Sequence, residues 1–279
     1  MTNTSVDTAQ APGTPARRRT IFSTGGWGFR YLSRWLSIVL IFLGWLGVSE
    51  LGLLGKSVMP TPAEVFLAGV ELSANGKLLA ALAASLLRVA AGASAGILLG
   101  IVLGLAAGYA VAAEILLDRP MQMLKAIPFN GVVPILIVTL GIGEGMKITL
   151  IAIGAMVPVY LGTFAGVRSV DVKLIELARV YRVPRWRVAY KTLFLGALPS
   201  MLNSIRFALA IAWIALVASE TVNAQNGLGY LMAQAQRFVR TDQVYLAILI
   251  YGVLGIATDR LVTVLEARLL RWKTTFAGN

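Results

Sequence analysis

From Trp35 onward, long apolar runs alternate with short polar stretches. A run of about 20 mostly apolar residues can cross a bilayer as a helix. Six such runs are present: Trp35–Leu54, Ala83–Tyr109, Met121–Leu140, Met146–Val167, Ser200–Val222 and Tyr245–Ala267. The third is interrupted by Lys125, Pro128, Asn130 and Pro134, and the fifth opens with Asn203 and Arg206. Residues 1–34 lack apolar periodicity and start rich in Thr, Ala and Pro, so they read as a disordered basic tail. Arg17–Arg19 resemble the charged start of a signal peptide. The first run is nevertheless long enough to span, and no small-residue cleavage site follows it, so it reads as a retained helix. Residues 35–273 then form a membrane domain and 274–279 a short C-terminal tail. The expected fold is an all-α, polytopic helical bundle with about six transmembrane helices.

One segment breaks the pattern. Between the fourth and fifth spans, residues 168–199 include "DVKLIELARVYRVPRWRVAYKTLFLGALP", with Lys173, Arg179, Arg182, Arg185, Arg187 and Lys191. Val170–Arg182 reads as a short amphipathic helix with Val170, Leu174, Leu177, Ala178 and Tyr181 on one face. Val183 precedes Pro184 and is pushed to an extended conformation, while Pro184 suits the first turn of a new helix. The segment thus predicts helix, sharp corner, helix.

Composition narrows the chemistry. Only 14% of the residues are charged, against about 25% in soluble domains. There is no His and no Cys among the 279 residues. Disulfides, the usual zinc sites and His- or Cys-based catalysis are therefore excluded. No metal site and no catalytic residue is expected. The net charge of +12 fits loops held on the cytoplasmic side rather than nucleic-acid binding. With the N-terminus inside, the inner segments hold Arg17–Arg19, Arg30, Arg34, Arg119, Arg168, the basic island, Arg268, Arg271 and Lys273. The outer loops hold only Lys56, Lys77, Lys147, Arg237 and Arg240. Both termini and the island are expected in the cytoplasm.

Within the spans, Gly92, Gly96, Gly100, Gly104 and Gly108 recur every fourth residue. Such a ladder lets helices approach closely in lipid, either as a static packing face or at a moving interface. The broken third span is either a kinked structural helix or the lining of a solute path. Ionisable residues at membrane depth are functional candidates; here they are Arg88, Lys125, Arg206, Glu220, Asp259 and Arg260. Lys125 and Arg206 read as snorkelling residues near the inner interface. Arg88 and Glu220 lie toward the outer ends of their helices, where they either pair or meet a solute. Asn130, Trp213, Thr221 and Asn223 join Arg88 and Glu220 as candidate lining of a translocation pathway. "ELGLLGKS", Glu50–Ser57, ends like a P-loop but starts with Glu where Gly is required and follows a membrane helix, so no nucleotide site is read there.

"IELARVYRVPRW…LGALPSMLNSIRFALAIAWIALVASE" resembles the EAA loop and following helix of ABC importer permease subunits. The family pattern runs Glu-Ala-Ala, three residues, Gly, nine residues, Ile-x-Leu-Pro. Glu176 and Ala178 match its first and third positions. Leu177 replaces the middle Ala, Arg182 stands where Gly is expected, and Thr192, Phe194 and Leu195 depart from Ile, Leu and Pro. "MPTPAEVF" (59–66), "SLLRVAAG" (85–92), "KAIPFNGVVPILIVTLGIGEGMK" (125–147) and "NGLGYLMAQAQRFVRTDQVYLAILIYGVLG" (226–255) are similar, in order, to the nitrate/sulfonate/taurine/bicarbonate branch.

The resemblance implies a type I ABC importer permease fold and a subunit that is not itself an enzyme. It implies two cytoplasmic ATPase subunits carrying ATP and Mg, with no cofactor on this chain. A second permease copy completes the path, in a homodimer or a heterodimer, and a periplasmic or lipid-anchored binding protein delivers a small anion. The setting implied is the bacterial inner membrane and its lipid. The 168–199 loop would supply the coupling helix, with Leu174, Glu176, Leu177, Ala178, Arg179, Tyr181, Arg182, Pro184, Arg185 and Arg187 facing the ATPase. If the corner needs positive φ, Arg182 costs about 1 kcal/mol there, unless the corner is rebuilt around Val183–Pro184. A working altered corner, pairing with a more typical second permease, and weaker coupling are the three consequences open. A secondary transporter or channel without an ATPase remains the alternative, although it would need internal repeats and paired broken helices.

Overall fold

The computed structural model describes residues 27–52, 55, 58–184 and 187–270, and every regular element among them is helical. Arg185, most of the two tails, and the side chains of Asn130, Arg179 and Asn223 lie outside the described residues. The chain divides into two units after Val48. The first carries most of α1 (Trp27–Glu50), in which Phe42 and Trp45 meet edge to face at 6.2 Å.

The second unit continues with α2 (Pro62–Ala74), α3 (Lys77–Tyr109), α4 (Val111–Ala126), α5 (Phe129–Leu140), α6 (Glu144–Arg168) and α7 (Val172–Val180). A π-helical segment (Val188–Phe194) then runs without a break into α8 (Leu195–Asn223), followed by α9 (Leu228–Arg237) and α10 (Thr241–Leu269). Four helices among the described residues are long and apolar enough to cross a membrane: 77–109, 144–168, 190–222 and 241–269. They contain the second, fourth, fifth and sixth expected spans. The first expected span, Trp35–Leu54, falls on α1 (Trp27–Glu50), whose described apolar part, Leu36–Glu50, is shorter than a span, so the described residues hold four spanning helices, or five with a bent pair, rather than six.

The third span needs correction. It is a bent pair, α4 and α5, turning through 114° at the break between them. Pro128 forces the turn because it lacks an N–H and pushes Ile127 extended, with ψ 123°. The helix before the break also starts at Val111, ten positions earlier than the apolar run. Glu114, Asp118 and Arg119 hide it from a hydropathy reading.

The bundle is built on contact between α3 and α6. A methyl group added at Gly96 would collide with the Ala152 carbonyl oxygen. At Gly92, Gly100, Gly104 and Gly108 an added Cβ would stand 2.6–2.8 Å from Ile151, Met156, Thr163 and Val167. The ladder is thus a close-packed seam, where dispersion and shape rather than hydrophobic exclusion hold helices in lipid. A second small-residue seam joins α6 to α8, where Ser200 Oγ donates to the Gly162 carbonyl at 2.8 Å. Between them lies a core of Val89, Leu150, Ile151, Val159, Ala208, Ala212 and Leu216.

Smaller devices fix the ends. Thr61 and Glu64 form a reciprocal capping box at the start of α2, at 3.2 and 2.8 Å. Arg240 joins α2 to α10, donating to Asp242 at 2.9 Å and Glu71 at 3.1 Å. These hydrogen bonds raise the Arg240 pKa above its ordinary value, keeping it cationic. Arg206, read as a snorkelling residue, instead joins α8 to α10 through Glu266 at 3.0 Å and Asp259 at 3.1 Å.

Two glycine substitutions separate the tight seam from open helix surface. Gly96→Leu is expected to cost more than about 3 kcal/mol, lowering the thermal midpoint of the detergent-purified protein. Gly252→Ala, where no atom lies within 4 Å, is expected to gain up to about 1 kcal/mol. Equal midpoints for the two variants would contradict the seam.

Candidate functional site

The α7 block departs from a simple amphipathic helix lying on the bundle. Its inner contact is Ile175, which packs against the buried cluster of Val167 of α6 with Leu193, Ala197 and Met201. Its other apolar side chains stay exposed: Leu174 is 52%, Leu177 53% and Tyr181 74% exposed, and all three line the cleft between α7, the π-helical segment and the start of α8. Of the apolar stripe read from the sequence, only Val170 and Ala178 turn partly inward. The reason is register. α7 is only nine residues long, so two turns expose most of any stripe not aimed at the bundle.

The corner is built rather than avoided. Arg182 sits in the left-handed region at φ 51°. The Val183 N–H reaches back to the Ala178 carbonyl at 2.9 Å, and Tyr181 N–H to Leu177 at 3.0 Å. The first of these is the six-to-one bond of a Schellman cap, a motif that usually carries Gly at the left-handed position. Arg182 therefore occupies the backbone geometry that a glycine would favour, and no rebuilt corner replaces it. Arg187 and Val188 N–H groups then accept the turn by donating to the Pro184 carbonyl at 2.9 and 3.2 Å. Tyr190 and Phe194 stack at 5.9 Å along the π segment. Between α7, this segment and the start of α8 lies an open cleft of about 1030 Å³. Glu176 and Arg187 are exposed beside it.

At the opposite end of α3 and α8 a buried polar cluster forms. Arg88 and Glu220 are 4% and 1% exposed, and Arg88 Nη1 donates to Glu220 Oε1 at 2.6 Å. Arg88 also donates through Nε and Nη2 to Glu144 at 2.6 and 2.7 Å, to the Asn226 carbonyl at 2.8 Å and to Asn226 Oδ1. Lys147 donates to Glu144 at 2.8 Å. Glu220 further accepts from Ser85 Oγ at 2.8 Å and from the Gly229 N–H at 2.8 Å, while Leu228 N–H donates to Ser85 Oγ at 2.9 Å. Two of the orphan N–H groups opening α9 are thus satisfied, and a carboxylate lies at its positive end. Gly227, at φ 118°, passes so close to the Glu220 carboxylate that a side chain there would collide. Two cations meet two carboxylates, so the cluster is neutral.

The remaining sequence candidates do not converge on one site. Trp213 is buried, with Nε1 donating to Thr258 Oγ1 at 3.3 Å and its ring edge-on to Tyr251 at 6.3 Å. Thr221 returns its hydroxyl to the Val217 carbonyl at 2.9 Å. Glu144, Asn226 and Ser85 were missed by sequence reasoning. Glu144 opens a helix, a placement too common to single it out.

Two outcomes follow. Arg88→Leu leaves Glu220 buried without its cation and is expected to cost about 3–5 kcal/mol, whereas Arg88→Leu/Glu220→Leu costs less than the sum. A double-mutant cycle on thermal midpoints measures this, and additivity would contradict the pairing. Arg182→Gly is expected to stabilise the protein by about 1 kcal/mol, seen as a higher midpoint; no gain would contradict strain at the corner.

Comparison with known proteins agrees with this architecture. Residues 96–271 match the family model described as the binding-protein-dependent transport system inner membrane component. The chain is 40% identical over 242 residues to an Escherichia coli (strain K12) protein named as an aliphatic sulfonates transport permease, SsuC, covering 87% of this chain and 92% of that one. It is 39% identical over 234 residues to the protein of the same name in Bacillus subtilis (strain 168), covering 84% and 85%. Among solved structures it is similar to the crystal structure of an amino acid ABC transporter with histidines. The TM-score is 0.57 at 16% identity, over 73% of this chain and 98% of that one, a likeness of fold. The chain therefore belongs to the family of binding-protein-dependent inner membrane components, the permease subunits of ABC importers.

Proposed function

We propose that this permease moves a small organic anion, with aliphatic sulfonates the best-supported class, by alternating access driven through α7. The observation that carries the reading is the exposed apolar cleft lined by Leu174, Leu177 and Tyr181 on a short helix stopped by a Schellman corner. Contiguous apolar surface rimmed by charge marks a protein contact, and Glu176, Arg182 and Arg187 supply the rim. In this reading the 168–199 loop lies in the cytoplasm with both termini and docks on an ATPase. Two ATPase copies bind ATP and Mg, and a second permease copy completes the path. A solute-binding protein delivers the anion from outside. The names of the sulfonate relatives support the solute class. Arg88 and Glu220 serve as a structural latch, since every charged atom in the pair is already engaged within the protein.

Glu176→Ala and Arg182→Glu are the test. Each is expected to reduce ATPase co-purification or to uncouple ATP hydrolysis from uptake in proteoliposomes, while leaving membrane insertion intact. Normal uptake and co-purification in both variants would overturn the docking role.

A further inference from the structure

α4 turns its acidic groups inward and its apolar groups outward. Glu114 accepts a hydrogen bond from Arg168 of α6, and Asp118 keeps one carboxylate oxygen buried. Leu117, Met121 and Leu124 share that inner side, in one cluster with Tyr160 of α6. The outer side is apolar: Ile115 is 73%, Leu116 72% and Met123 70% exposed. Ile115, Leu116, Arg119 and Met123 stand at i, i+1, i+4 and i+8, which is one stripe of a helix. Arg119 is exposed in the middle of it, and no described residue hydrogen-bonds or ion-pairs with Arg119.

Ionisable side chains at membrane depth turn to the bundle interior, as Glu114 and Asp118 do, and apolar ones turn to lipid. The height of α4 is set by its neighbours. Only Ala110 separates it from the C-terminal end of α3, and Arg168, which holds Glu114, is the last residue of α6. α4 therefore starts at the α7 end of the bundle. An Arg in an apolar stripe lays its stem along the helix and sends its guanidinium to the headgroups. The planar fork of that group matches a phosphate. Arg260 repeats the arrangement on α10, exposed between Ile256 and Val264. A second helix is the poorer occupant of the α4 stripe. Where this chain packs helix on helix it uses small residues, the glycines of α3 against α6 and Gly162 against Ser200. The α4 stripe offers Ile, Leu, Arg and Met instead.

We propose that the outer face of α4 seats an anionic phospholipid of the leaflet at the α7 end. Arg119 holds the phosphate, and Ile115, Leu116 and Met123 lie along an acyl chain. The seat rests on the membrane setting of the family and not on the solute or the ATPase. It braces α4 from outside, as the Glu114–Arg168 pair braces it from inside, ahead of the break that leads into α5.

The test is native mass spectrometry of the purified permease–ATPase complex with phosphatidylglycerol, phosphatidylcholine or glycerol phosphate added. Phosphatidylglycerol is expected to bind more tightly than phosphatidylcholine, and glycerol phosphate not to displace it. Arg119→Gln is expected to lower phosphatidylglycerol affinity about fivefold, and Arg119→Lys to keep it. Leu116→Ser/Met123→Ser is expected to weaken both lipids alike. A photo-crosslinker on a single cysteine at position 116 is expected to label lipid. Four results would overturn the seat: equal affinity for the two lipids, unchanged affinity in Arg119→Gln, displacement by glycerol phosphate, or an adduct between position 116 and a second permease copy. ATPase co-purification is expected to be unchanged in Arg119→Gln, so failure of the seat and failure of the α7 docking are read separately. Its loss in that variant would put Arg119 in the docking face and also overturn the seat.

Discussion

A carboxylate buried at membrane depth must find all its partners inside the protein, and Glu220 shows how this chain meets that demand. Arg88 from α3, Ser85 one turn earlier and the N–H of Gly229 at the head of α9 converge on it. Glu144, opening α6, completes the shell of Arg88. Four elements are therefore fixed by one buried ion-pair network. Removing either partner strands the other in a low-dielectric site, which is worse than having neither. The glycine seam depends on this end being fixed, since sliding by one residue along α3 would set a side chain against the α6 backbone.

From that fixed end, α3, α6 and α8 run as one packed block to the α7 end. There Ile175 enters the same cluster as Val167 and Ala197. Val170, in the linker before α7, lies against Gly196 so closely that a Cβ there would stand 2.8 Å from it. A push on α7 is thus delivered to α6 and α8 through side chains in contact rather than through a loop. The left-handed corner at Arg182 keeps α7 at a set angle to the π segment. A seven-residue π-helix leading into a transmembrane helix is uncommon, and such segments gather at functional sites.

Much of this was legible in the sequence because lipid is a demanding solvent. Apolar length marked the spans, and a four-residue glycine period marked a close seam. The partner of that seam was not legible, since the glycines state that a backbone comes near without stating whose. Arg88 and Glu220 stood out as ionisable residues in apolar runs, yet they are 132 positions apart. Glu144 and Asn226 became visible only once the helices met. The start of α4 was hidden by its charges. At the corner, residue type argued against positive φ for Arg182, and the backbone bonds of the cap outweighed that preference. The π segment left no trace in the residue pattern, because its hydrogen-bond shift changes register without changing composition.

The central claim is that α7 is the face on which an ATPase acts. The chain has no cysteine, so a single cysteine at Leu177, exposed at the centre of that face, can carry a photo-crosslinker without background. In membranes containing the whole transporter, the account predicts an adduct between this position and the ATPase subunit. An adduct confined to lipid or to the permease itself, with the ATPase present and assembled, would contradict it.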